Sequence, residues 1–415
     1  MKFFLRSHGC RANGYDSEVV RAMLLSSGAS EATATDADVA IFNSCSVTAA
    51  AEAELRKDIR RVARANPGVR TIVMGCAPGL TGRDEAANPL RTLPTVSNAI
   101  VGADLESIAL ALGLPKEQAS APRGAQTGAR ALLRIQDGCD EHCTFCIATI
   151  ARGASRSRPL DEVIREATVL ADTHPEIVIT GIHIGSYGLD FGSCLSALVE
   201  RLIVSVPSVR FRLSSLEATE VDDSLCELFG DRRRLAPYLH APLQSGSDRV
   251  LKRMGRSWYT ARTYASSVER TVARNGFFGL GADVICGFPG ETERDHLETV
   301  AMAECLPFTS LHVFPYSPRP GTSSLRLGSP VGSEDSRRRC EELREISQRK
   351  ARVYNRLRGG TSADVVVIKA GEGLTEDYLP VALADPAIRR RARFEAILTE
   401  KSGQLSAAQT PILAA

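Results

Sequence analysis

The chain has 415 residues, of which 43% are hydrophobic and 24% charged; this is enough for two or three globular domains. A net charge of +2 excludes bulk attraction to nucleic acid, so any RNA site must be a local patch. No apolar run reaches membrane-spanning length and MKFFLRSHGC turns polar too soon for a signal peptide, so a cytoplasmic location without a membrane partner is expected.

The N-terminal part alternates short apolar runs with helical stretches. Lys2 to Leu5, Val39 to Phe42 and Thr71 to Met74 have strand length, with helices expected over Ser17 to Leu25 and Ala51 to Ala65. That is the pattern of an open parallel α/β sheet. Pro115 to Gly128, rich in Ala, Gly, Gln and Pro, reads as a linker. Six further strands are expected at Ala131–Gln136, Glu176–His183, Val209–Ser215, Tyr238–Gln244, Gly279–Cys286 and Leu311–Tyr316. With helices between them they predict a partial (βα)6 TIM-type barrel. A charged helix follows over Glu334 to Leu357. Ala363–Lys369, Tyr378–Leu383 and Ala392–Thr399 then predict a small all-β barrel. The expected domains are residues 1–118, 125–355 and 356–415.

Eleven cysteines, an odd number, do not suit a disulfide framework in a cytosolic chain. Cys194, Cys226, Cys286, Cys305 and Cys340 are scattered and read as small apolar side chains. Cys139, Cys143 and Cys146 are different. Their C-x3-C-x2-C spacing directly follows the first barrel strand, and barrel enzymes place their sites at strand C-termini. Three thiolates can hold a 4Fe–4S cluster with one iron open, which points to radical chemistry on S-adenosylmethionine (SAM). Structural zinc would want a fourth ligand, and the nearest is His142. Cys10, Cys45 and Cys76 each lie just after one of the first three strands, in SHGC, FNSC and VMGC. In an open parallel sheet those positions share one edge, where ligands bind. Gly9 and Gly75 precede two of them and allow tight turns.

These motifs resemble the radical-SAM methylthiotransferases over nearly the whole chain. SHGCRANGYDSE, FNSCSVTAAAEAELRKDIRR and VMGCAPG are similar to the family's three N-terminal cysteine motifs, except that Pro78 stands where Gln is usual. RIQDGCDEHCTFCIATIARGASRSRP resembles the cluster loop. TGIHIGSYG, RLSSLEA, APLQSGSD, DVICGFPGET and HVFPYSPRPGT follow in the family's order, and the C-terminal segment with GLTEDYLPV is similar to the TRAM RNA-binding barrel. CSVT, ELRKDIRR and QDGC are most similar to the branch acting on threonylcarbamoyladenosine in tRNA.

The resemblance implies insertion of sulfur and a methyl group at carbon 2 of adenosine 37, beside the tRNA anticodon. It implies two 4Fe–4S clusters, one on Cys139, Cys143 and Cys146 and one on Cys10, Cys45 and Cys76, together with SAM, an electron donor and a sulfur source. Gly181, Gly185, Ser215, Glu217, Gln244, Ser245 and Gly287 are candidate SAM-binding positions, or turn residues that finish strands. No protein side chain is assigned the radical step, which belongs to the cofactor. Arg152, Arg156 and Arg158 are candidate contacts to RNA phosphate or cofactor, and Arg389, Arg390, Arg391 and Arg393 to the tRNA anticodon stem-loop, unless they are solvated charge. Tyr378 and Phe394 are aromatic and could stack on bases or fill the small barrel. The alternatives are the same chemistry on isopentenyladenosine 37 or on a ribosomal-protein aspartate, and a non-catalytic RNA-binding iron–sulfur sensor.

Overall fold

The computed structural model describes residues 1–80, 88–119, 124 and 126–409. Residues 120–123 and 125 of the expected linker, and 410–415 of the expected last domain, lie outside the described residues. The chain divides into two compact units. One comprises Met1–Gln126, Gln136–Arg156 and Ser317–Leu325; the other comprises Thr127–Ile135, Ser157–Tyr316 and Arg326–Ala415.

The first unit is built on a five-stranded parallel sheet of order β2-β1-β3-β4-β5, namely β1 (Lys2–Ser7), β2 (Ser30–Glu31), β3 (Val39–Ser44), β4 (Arg70–Gly75) and β5 (Val96–Val101). Both faces are covered, so β3 is buried at all six residues, as parallel strands commonly are. Ile41 and Ile72 pack with Val20 and Met23 of α1 (Arg11–Ser26) on one side. Phe42 and Val73 pack with Leu55 and Ile59 of α2 (Ala49–Ala65) on the other. Strand β5, where Ser97 and Asn98 interrupt the apolar run, has no counterpart among the three strands expected from sequence.

The second unit holds six parallel strands in two sheets: Ala131–Arg134, Glu176–Thr180 and Arg210–Leu213, then Tyr238–His240, Gly279–Cys286 and Ser310–Pro315. Isolated parallel bridges, Phe211 to Leu235 and Ser215 to His240, join them. Alternate residues, among them Leu133, Ile177, Ile179, Phe211, Leu213, Leu239, Leu280, Ala282, Val284, Leu311 and Val313, pack outward against helices through Val163, Leu198 and Val268. The opposite, inward positions are mostly polar: Arg134, Glu176, Thr180, Arg210, Arg212, Tyr238, His240, Asp283 and His312. A polar interior departs from the branched aliphatic filling of a full TIM barrel.

A 26-residue helix, Ser333–Arg358, leads to a closed five-stranded β-barrel: Ser362–Lys369, Glu372–Leu374, Pro380–Leu383, Arg393–Lys401 and Gln404–Gln409. The sequence pattern resolved three of these strands. The strand Glu372–Leu374, three residues long and carrying Gly373, is too short for an alternation to show.

This small barrel is fixed to the six-stranded barrel by buried charge. Glu176 is fully buried and meets Arg210 at 2.6 Å, Arg212 at 2.8 Å and Arg130 at 3.3 Å. Arg210 also reaches Asp364 at 3.1 Å, and Arg212 donates to the Thr375 carbonyl at 3.0 Å. Despite the burial, the three guanidinium groups hold the Glu176 carboxyl well below its ordinary range.

Candidate functional site

In the first unit, Cys10, Cys45 and Cys76 follow β1, β3 and β4, three adjacent strands, so all three leave the carboxyl edge of one sheet. Cys10 occupies the N-cap of α1 without using its sulfur as a cap, and is exposed. Cys45 is buried and Cys76 half-buried. The glycines before Cys10 and Cys76 have φ of +98° and +96°. A Cβ on Gly9 would fall 2.7 Å from Cys45 Sγ, and one on Gly75 would fall 2.3 Å from Asn43 Oδ1. Both turns therefore require glycine to bring the cysteines together. Pro78 stands in the first turn of the helix Cys76–Leu80, where no intrahelical N–H is needed, so the departure from Gln is tolerated.

The loop carrying Cys139, Cys143 and Cys146 belongs to the same unit. Gly138, at φ +75°, brings the chain so close to Ala154 that a Cβ would fall 1.9 Å from its carbonyl oxygen. The Cys139 amide donates to Gly153 O at 3.0 Å, and the Ala148 amide lies 3.4 Å from Cys146 Sγ. The segment Ser317–Leu325 braces this loop and α2. Ser324 donates its amide to Thr144 O at 2.8 Å, Ser317 accepts from the Ala49 amide, and Arg319 pairs with Glu52.

One side chain joins the two cysteine sets. Arg152 ends the short helix Ala148–Arg152, directly after the Cys139–Cys146 loop. Its Nε lies 3.4 Å from Cys76 Sγ, and its Nη2 lies 2.6 Å from Asn13 Oδ1 and 2.8 Å from Asp16. Asn13 in turn donates to His8 O and Ser44 O. Burial pushes the Cys76 thiol up to about 11, against the pull of Arg152. Arg152, expected to meet RNA phosphate or cofactor, is buried at 8% exposure beside a candidate cluster cysteine. A buried guanidinium needs a carboxylate, and Asp16 supplies it.

Neither cysteine triad is drawn together as closely as a single zinc ion requires. Sulfurs around one zinc sit about 4 Å apart. Among the described residues neither cysteine triad draws its three ligand atoms within 4.8 Å, whereas His240–Asp283–His312 and His8–Glu54–Asp58 do.

In the second unit, several expected SAM positions lie at strand C-termini. Gly181 directly follows the second strand, and Ser215, exposed, follows the third. A Cβ on Gly185 would fall 1.9 Å from Glu220 Oε2, and Glu220 bonds His183 at 2.7 Å through its other oxygen. Glu217 pairs with Arg256 through Oε1. Oε2 of Glu217 and Oε2 of Glu220 are buried with no hydrogen-bond partner among the described residues. Buried acceptors of that kind mark a place where a donor is missing, and a ligand with ammonium and hydroxyl groups, as SAM has, fits there. Burial holds the Glu217 carboxyl above its ordinary range, against Arg256. Gln244 has φ +61°, a strained value for a residue with a Cβ.

Ser245 and Gly287 serve the framework. The Ser245 hydroxyl lies 3.3 Å from Thr299 and accepts from the Ser247 amide. The Gly287 amide donates to Glu291, and a Cβ there would meet Ser336 at 2.6 Å. Among the arginines, Arg156, Arg389 and Arg390 are exposed. Arg158 pairs with Glu166 at 2.8 Å, Arg391 donates to Gly128 O, and Arg393 pairs with Asp364. Tyr378 stacks on Tyr238 at 4.5 Å under Arg212, and Phe394 packs on the small barrel's core. Sequence reasoning missed Arg152 as a bridge and Glu220 as a site carboxylate. The position of Glu220 three residues after Glu217 was the available signal for the latter.

Two family models match the chain: uncharacterised protein family UPF0004 over residues 2–93 and the radical SAM superfamily over residues 133–303. The threonylcarbamoyladenosine tRNA methylthiotransferase MtaB of Thermotoga maritima is 34% identical, covering 82% of this chain and 80% of that one. Its namesake in Aquifex aeolicus is 30% identical over 92% and 96%. The chain belongs to the radical-SAM tRNA methylthiotransferase family. As a member it is an enzyme of the class that uses a 4Fe–4S cluster and SAM. A tRNA-2-methylthio-N(6)-dimethylallyladenosine synthase of Neisseria meningitidis is 33% identical over 87% and 86%, so relatives with two substrate names match about equally. Among solved structures, the radical SAM methyltransferase TsrM of Kitasatospora setae is similar in fold, with a TM-score of 0.57 at 13% identity over 78% of this chain and 76% of that one.

Proposed function

We propose that this methylthiotransferase acts on N6-threonylcarbamoyladenosine 37 of tRNA, placing a methylthio group at carbon 2. In this reading Cys139, Cys143 and Cys146 hold the SAM-binding cluster, and Cys10, Cys45 and Cys76 hold a second 4Fe–4S cluster. When bound, these groups and SAM supply the radical, the sulfur and the methyl group. The observation that carries the two-cluster reading is the edge of the N-terminal sheet. Three cysteines leave adjacent strands there, two of them through turns that only glycine fits, and Arg152 ties Cys76 to the helix after the other triad.

The chain's own residues do the holding. Glu217 and Glu220 present unpartnered oxygens to donors of the SAM amino acid or ribose, with Gly181, Gly185, Ser215 and Gln244 around them. Arg256 keeps Glu217 in place. Arg156, Arg389 and Arg390 are the exposed arginines offered to phosphate, and the C-terminal β-barrel is the RNA-binding module. Residues 1–118, 125–355 and 356–415 form the three functional domains, with an electron donor and a sulfur source as further partners. The substrate assignment rests on the naming of the Thermotoga and Aquifex relatives and on the motifs around Cys45 and Cys139.

Anaerobic reconstitution should give about eight irons per chain. A Cys10→Ala, Cys45→Ala, Cys76→Ala variant should keep about half of the iron and yield no methylthio nucleoside by mass spectrometry of tRNA. Full product from that variant would overturn the second cluster.

A further inference from the structure

On the inward face of the last three barrel strands, one carboxylate sits between two imidazoles. Strand register sets His240 beside Gly281 and Asp283 beside His312. Asp283 Oδ1 lies 3.1 Å from His240 Nε2 and 3.3 Å from His312 Nδ1. The two rings are 5.0 Å apart, and the Tyr238 hydroxyl is 3.3 Å from His240 Nδ1. A Cβ at position 281 would fall 2.7 Å from that same nitrogen, so Gly281 makes room for the pair. Burial opposes the charge on Asp283, yet the hydrogen bonds from His240 and His312 outweigh it and hold the carboxyl well below its ordinary range. The set runs from a buried imidazole, His240, to an open one, His312, whose side chain is 55% exposed. Phe314, two residues further on the same face, is also exposed and meets the His312 ring edge-on.

A second histidine–carboxylate group, His8 with Glu54 and Asp58, is braced differently, because Arg6 and Arg61 each pair with Asp58 at 2.8 Å. The ion-pair partners of Asp283 among the described residues are the two histidines. Neither the cluster cysteines nor the SAM-facing carboxylates account for it.

We infer that His240, Asp283 and His312 form the subsite for the hydrophilic N6 substituent of the target adenosine, and that this subsite selects it over an isoprenoid one. This inference rests on the substrate reading above. A threonylcarbamoyl group carries N–H and O–H donors for Asp283, and oxygen acceptors for an imidazole N–H. A dimethylallyl group carries neither and would strip water from Asp283 and His312 without replacing it. Removing that water without replacing its hydrogen bonds is costly, and sites built to bond a polar group reject the analogue lacking it by about 10⁴–10⁵. Phe314 adds a flat apolar surface suited to a purine.

The test uses the reconstituted enzyme, SAM and two anticodon stem-loops, one bearing threonylcarbamoyladenosine and one dimethylallyladenosine. The wild type should favour the first by at least about a hundredfold in kcat/KM. His312→Leu and Asp283→Asn should each narrow that preference by about tenfold or more, mainly through KM of the first substrate, and His312→Gln should restore part of it. Iron content and melting temperature, unchanged in the exposed His312 variants, report folding. A preference that stays the same in both His312→Leu and Asp283→Asn overturns this inference alone. A wild type inactive on the threonylcarbamoyl stem-loop overturns the substrate reading itself. Zinc or non-cluster iron bound stoichiometrically, and lost in Asp283→Asn, also overturns the inference by making the triad a metal site.

Discussion

The strands of the radical-SAM barrel begin among interlocked ion pairs and end among carboxylates that are only half engaged. At their starts, Glu176, Arg210 and Arg212 interlock with Asp364 and the Thr375 carbonyl, and Tyr238 stacks on Tyr378. Gly279 lies against the Asp377 carbonyl, with no space for a side chain. At their finishes, Glu217 pairs with Arg256 and Glu220 with His183, and each keeps one buried oxygen without a hydrogen bond among the described residues. Three guanidinium groups converge on one carboxylate at the starts, whereas each carboxylate at the finishes meets a single partner. In the reading proposed above, the first is a permanent joint and the second a ligand site.

The largest expected effect comes from the closed end. Glu176→Gln leaves Arg210 and Arg212 buried against a neutral partner, and should cost about 3–5 kcal/mol in denaturant unfolding. The pH dependence has a definite sign. The folded Glu176 pKa is depressed below its ordinary 4.5, so its stabilisation is fully present above that value and is lost as pH falls below it. A Glu176 contribution that is constant between neutrality and about 5 and falls at lower pH fits this; a loss already complete at about pH 6 does not.

Two glycine substitutions probe the same contrast. Gly279→Ala would drive a Cβ to 2.1 Å from a backbone oxygen that cannot retreat, and should cost about 1–3 kcal/mol. Gly185→Ala meets only the tip of the Glu220 side chain, which can swing, so the folding change should stay below about 1 kcal/mol. Equal costs at the two positions would erase the distinction between the ends. Glu217→Gln leaves Arg256, 5% exposed, against a neutral partner, so it should cost about 1–3 kcal/mol in unfolding and also weaken SAM binding about tenfold or more in equilibrium dialysis, because a charged hydrogen-bond acceptor is lost. Unchanged SAM affinity would remove Glu217 from the site.

The alternation of apolar runs made the parallel sheet and the six-stranded barrel legible, because strand length and spacing follow from local residue choice. The C-x3-C-x2-C loop and the three post-strand cysteines were legible for a related reason. Position just after a parallel strand fixes which edge a residue occupies, whatever the remaining packing. Strand ends were less legible: His183 and Gln244, expected within strands, lie beyond them, since the chain turns at Gly181 and after His240.

Residue type and spacing alone made the barrel and the family legible and marked the candidate cluster cysteines. The partners of the charged residues were decided only in the tertiary structure. Arg152 and Arg156 look alike in ARGASR, but one is buried on Asp16 and Cys76 and the other is exposed. Nothing local distinguishes them, because a guanidinium can be buried only where a carboxylate distant in sequence arrives to meet it. The same holds for Glu176, whose three arginines come from three strand-linked positions, and for Asp283, which the register of neighbouring strands sets between two imidazoles.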